Sequence, residues 1–74
     1  MRWKENELVD YLNTKSGGEA TIDDIFEYFC VDMTNRNLAN FRSCLKYMPA
    51  IDIRYRRRAS FVQTVCRAKP MIIE

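Results

Sequence analysis

The chain has 74 residues, 47% of them apolar, and a formal net charge of +2. That is one small domain at most, and too apolar for a disordered segment. With no apolar run near the roughly 20 residues of a membrane span and no signal peptide at its start, the expected setting is intracellular, cytoplasmic or nuclear, and reducing.

The small net charge hides an asymmetry. Residues 1–33 carry eight acidic side chains against three basic ones, a net −5, whereas residues 34–74 carry nine basic against two acidic, a net +7. Opposite charge on two halves of a chain hints at a polyanionic partner for the basic half. Enzyme chemistry is the least expected reading. There is no histidine, no glycine-rich phosphate loop and no clustered metal ligands, so no catalytic residue, metal or cofactor is expected. Cys30, Cys44 and Cys66 lack CxxC spacing. They read as three buried thiols rather than zinc ligands or a disulfide framework.

The first helix is expected over about residues 3–14, with Leu8, Val9 and Leu12 on one face and Trp3 extending it backward. Tyr11 falls at the edge of that face, and Glu5, Glu7 and Asp10 line the watery side. Asn13 to Gly18 is a break, where Gly17 and Gly18 permit positive φ. Glu19 and Ala20 suit one short extended pairing. Thr21 is placed to cap a second helix over 22–31, with Asp24 three residues on and Asp23 favoured by the helix dipole. Ile22, Ile25, Phe26 and Phe29 follow the i, i+3, i+4, i+7 spacing of a buried face. Val31, Asp32 and Met33 form the turn. Thr34 or Asn35 caps a third helix over 34–47, whose buried stripe is Leu38, Phe41, Leu45 and Met48, flanked by Cys44 and Tyr47. Pro49 ends it.

A hairpin is expected over residues 50–66, because Ile51, Ile53 and Tyr55 alternate with polar residues. Without Asn-Gly or Asp-Gly, a four-residue loop at 57–60 is favoured over a two-residue turn. That register sets Arg56 opposite Phe61 and Ile51 opposite Cys66. It gathers Ile51, Ile53, Tyr55, Val62, Thr64 and Cys66 on the inner face and leaves Arg54, Arg56, Phe61, Gln63 and Val65 outside. Residues 67–74 form a tail with an apolar stretch, Met71, Ile72 and Ile73.

Helix, short extended segment, helix, turn, helix, hairpin is the element order of the winged helix-turn-helix superfamily. Over residues 3 to 66 the chain resembles that superfamily in architecture, with no residue signature of one family. The plan is also similar to that of the small Z-form-binding winged helices, but their proline-and-tryptophan wing is missing, so their activity is not carried over. The resemblance implies a mainly α domain with a small β-hairpin, in the α+β class. It places the third helix in the major groove, with Asn35, Arg36, Asn37, Asn40, Ser43 and Lys46 as contact residues. Arg54, Arg56, Arg57 and Arg58 would form a wing on the flanking backbone or minor groove. The chemistry suits those roles: arginine bonds guanine and asparagine bonds adenine in bidentate fashion, and arginine favours a narrow minor groove. Arg42 and Lys46 lie to one side, where phosphates would run, and Asn35 and Asn37 sit near helix-start amides.

The expected function is therefore a sequence-specific or architectural double-stranded DNA-binding protein, a transcriptional regulator, with a homodimer or protein partner as a further expectation. Its size suits a small protein of a phage or other mobile element. The alternative is a protein-interaction module without DNA binding, using Phe61, Val65, Met71, Ile72 and Ile73 as its interface.

Overall fold

The computed structural model describes residues 2–69, so the expectations for Met71, Ile72 and Ile73 lie outside the described residues. It is an α+β domain of three helices and a three-stranded antiparallel sheet: α1 (Glu5–Asn13), a short 3-10 turn (Ser16–Gly18), β1 (Glu19–Thr21), α2 (Ile22–Tyr28), α3 (Asn35–Leu45), β2 (Ile51–Arg58) and β3 (Phe61–Ala68). The strand order is β1-β3-β2.

Each helix is shorter than the pattern predicted, and each end has a local cause. Trp3 precedes α1 rather than extending it, because Lys4 is extended. The Trp3 ring instead packs 4.6 Å from Phe41, 5.4 Å from Phe26 and 5.5 Å from Phe29, between centroids. Three aromatic contacts outweigh the small gain from one more helical turn. Gly17 and Gly18 take φ of 75° and 68°, which turns the chain from α1 into β1 as expected. The Thr21 hydroxyl accepts from the Asp24 amide at 3.1 Å and caps α2. That helix ends at Tyr28, short of the expected residue 31. The Val31 amide donates to the Phe26 carbonyl at 2.9 Å and the Cys30 amide to the Glu27 carbonyl at 3.2 Å. This pair of bonds is a Schellman closure, and it forces Cys30 into the left-handed region at φ 57°. Of the three thiols expected to be buried, Cys66 is buried, Cys44 half-buried and Cys30 exposed.

Thr34 caps α3 by accepting from the Asn37 amide at 3.1 Å. Phe41, Leu45 and Met48 turn inward to meet Leu8, Leu12, Ile25 and Phe26 in the core, with Leu38 half-buried at its margin. Glu5 was expected on the watery side. It is half-buried, and its carboxylate accepts the Ala50 amide at 3.0 Å across 45 residues, tying the start of α1 to the root of the hairpin.

The hairpin pairs Arg58 with Phe61 and Ile51 with Ala68, leaving a two-residue turn at Ala59–Ser60. The four-residue loop is thus corrected, and β3 runs on to Ala68 where a tail was expected. Neither turn residue has positive φ, so this is not one of the primed turns on which the longer loop was argued. The register moves by two residues, and since side chains alternate with period two, the same residues share each face, but Ile53, Tyr55 and Val62, expected on the inner side, are exposed because the hairpin outruns the core.

Candidate nucleic-acid interface

Eleven residues of α3 span about 16 Å at 1.5 Å per residue. Its inward residues are set by Phe41 and Leu45, so Arg36, Asn40 and Ser43 point to water and all three are exposed. Asn35 is exposed in the first turn, and Lys46 is exposed just past the helix as its C-cap. Asn37 has a structural task. Its side-chain amide donates to the Asp32 carbonyl at 2.8 Å, and the Thr34 amide donates to the same oxygen at 2.9 Å. The residue expected to meet phosphate thus also stitches the α2–α3 turn.

The hairpin leaves the core at Ile53. From there to Arg58 five residues project by about 17 Å at 3.3 Å each. Arg54, Arg56 and Arg58 share one face with Gln63 and Phe61, while Arg57 lies on the other with Tyr55 and Val62. Arg56 is committed: its guanidinium bonds the Glu19 carboxylate. That bond holds the Glu19 carboxyl below the usual carboxylate range, with the fields of Arg67 and Arg54 adding to the effect. Glu19 lies opposite Arg67 and Arg56 opposite Gln63, on either side of the middle strand. The pair therefore crosses β3 above Val65, between those two rows. This explains the burial of Val65, only 2% exposed on the face predicted to be open. Val65 is removed from the expected protein interface, while Phe61 is exposed as predicted.

Among the described residues Arg36, Arg54, Arg57 and Arg58 make no ion pair; Arg56 with Glu19 and Lys69 with Asp52 do. Arg36 on α3 and three arginines on the hairpin are thus available to an external anion. Burial pushes the Cys66 thiol up to about 11, so it stays neutral and unreactive near neutral pH. Among the described residues no group of histidine, cysteine or acidic side chains is placed to hold a metal ion, and no helix is long and apolar enough to cross a membrane.

Sequence reasoning missed three ties: Glu5 to Ala50, Asn37 to Asp32 and Glu19 to Arg56. Only the last had a signal, an acid at the start of a short strand that could pair near an arginine-rich one. Comparison with protein-family models, curated proteins and solved structures returned no match.

Proposed function

We propose that this chain is a winged helix-turn-helix domain that binds double-stranded DNA, with α3 in the major groove and the β2–β3 hairpin as an arginine wing on the backbone or minor groove. The observation that carries this reading is one of supply. The polar stripe Arg36, Asn40, Ser43 is exposed on a capped helix, and Arg54, Arg57 and Arg58 stand on a projecting arm and make no ion pair among the described residues. Arginine and asparagine on α3 suit base edges, and unpaired arginines on the arm suit phosphates. Arg56, held by Glu19, contributes less, and Asn37 acts through the turn. The acidic side chains of α1 and α2 would face away from the duplex. A role in transcriptional regulation follows from the same reading.

Fluorescence anisotropy with a labelled random duplex at two salt concentrations tests it. Micromolar binding that collapses as salt rises is expected, since non-specific dissociation constants run at about 10⁻⁴–10⁻⁶ M at physiological salt. Replacing Arg57 and Arg58 together with alanine should weaken all sequences alike and flatten the salt slope by about two units. Asn40→Ala should instead alter the sequence preference. No binding at low salt sinks the DNA reading, and an Asn40→Ala protein with unchanged preference sinks the helix assignment.

A further inference from the structure

The sheet has a second, differently built edge. β1 ends at Thr21, opposite Val65, so the next four residues of β3, Phe61 to Thr64, face no strand on that side. These four residues instead line a cleft of about 270 Å³. Ile22, Met33, Leu38, Phe61 and Val62 make its walls apolar, and Arg42 stands in its lining. Arg57 and Arg58 flank an adjoining depression that shares Phe61 and Val62. Asp23 is the single acid in either lining.

We infer that this edge is a docking site for an extended, acidic segment of a protein partner, added as a strand beside Phe61–Thr64 in line with β1. An unpaired strand edge supplies main-chain hydrogen bonds, and a flanking apolar pocket supplies selectivity for alternate side chains. Three arginines against one aspartate set the sign of the partner. The far edge of β2 is also unpaired, but its residues from Ile51 to Arg56 line neither of these depressions. The partner site uses the α2–α3 flank of the hairpin, whereas the DNA reading uses the outward stripe of α3 and the arm. The two share Arg57 and Arg58, but the cleft walls Ile22, Met33 and Leu38 belong to the partner site alone.

The test is a fluorescein-labelled heptapeptide of alternating aspartate and valine, titrated into the full chain by anisotropy and mapped by amide NMR. Saturable binding is expected, with shifts and slowed amide exchange confined to Phe61–Thr64 and to the cleft residues around Met33 and Leu38. The same peptide with glycine in place of valine should bind at least about tenfold more weakly, because the walls then bury nothing. Met33→Ser combined with Val62→Ser, both at exposed positions, should weaken the valine peptide by about tenfold as well. Equal binding of the two peptides, shifts that map to the β2 edge, or no binding at millimolar peptide each overturn the proposal.

Discussion

The β2–β3 ladder runs without interruption from Ile51 paired with Ala68 to Arg58 paired with Phe61. Its two ends are nevertheless unlike. Ile51 and Ala68 are 6% and 9% exposed, whereas Phe61 is 59% and Tyr55, on the way to the turn, 72% exposed. The root belongs to the same core cluster as Met48, Leu45 and Phe41; the tip lies outside that cluster, tied to the rest of the domain by the Arg56–Glu19 pair. Backbone pairing supplies order at both ends, but an isolated two-stranded hairpin is marginal in water. The stability of this one therefore resides at its root. Being relieved of packing, the arm is free to carry four arginines and the exposed apolar side chains of Ile53, Tyr55, Phe61 and Val62.

Substitutions at the two ends should separate accordingly. Phe41→Ala, at a fully buried ring against Trp3 and Phe26, is expected to cost about 3–5 kcal/mol in urea denaturation, much of a small domain's stability. Arg57→Ala with Arg58→Ala should stay within about 0.5 kcal/mol in the same assay. A large loss at the tip would break the contrast.

Next in size is the tether at the root. Glu5→Ala leaves the Ala50 amide without its acceptor and should lower stability by about 1–2 kcal/mol, with faster exchange of that amide. Glu5→Gln keeps an acceptor oxygen and should lose less. If Glu5→Ala is silent, the root is held by side-chain packing alone.

Cys30 lies away from both ends and sharpens the contrast as a control. Its left-handed φ of 57° costs a non-glycine residue about 1–2 kcal/mol. Glycine relieves that but gains about 0.4–1 kcal/mol of unfolded-state freedom. Cys30→Gly should therefore raise stability by about 0.5 kcal/mol in denaturant titrations and leave the hairpin's amide shifts unmoved.

The smallest effect marks the boundary between root and tip. Arg56 holds the Glu19 carboxyl below its ordinary value of 4.5. A depressed carboxylate contributes stability that is present above the ordinary value and lost as pH falls through the depressed one. Acidification below pH 4.5 should thus open the Glu19–Arg56 clasp and uncover Val65, read as a change in its methyl shifts. Glu19→Gln should abolish that acid step. A Val65 signal indifferent to acid would show that the strand neighbours alone bury it.

Much of the framework was legible before the fold was known. The i, i+3, i+4, i+7 spacing placed α2, the Thr21 and Thr34 caps placed two helix starts, and two glycines placed the reversal before β1. These are local signals, settled within a few residues of chain. The candidate site was legible in composition, since Arg36, Asn40 and the run Arg54–Arg58 stand in the chain as read. What was not legible was which of those groups the fold would use for itself. Asn37 goes to the α2–α3 turn, where its partner Asp32 is only five residues away but the turn geometry had to be known, and Arg56 goes to Glu19, whose approach across 37 residues depends on the packing of the whole chain.

The primary structure by itself determined the helix faces, which residues share each face of the hairpin, and the charge polarity of the two halves; which of those residues are buried it did not. Period-two alternation keeps the faces intact even when the register moves by two residues. Tertiary structure alone decided the register, the burial of Val65 beneath an ion pair from two other strands, the use of Trp3 as an aromatic hub rather than a helical residue, and the open edge at Phe61–Thr64. The last three depend on where a distant segment ends or lies: Glu19 for the clasp, Phe41 for the hub, Thr21 for the open edge; the register follows from the two-residue turn. Long-range placement of that kind is set by packing in three dimensions and leaves no periodic trace in the chain.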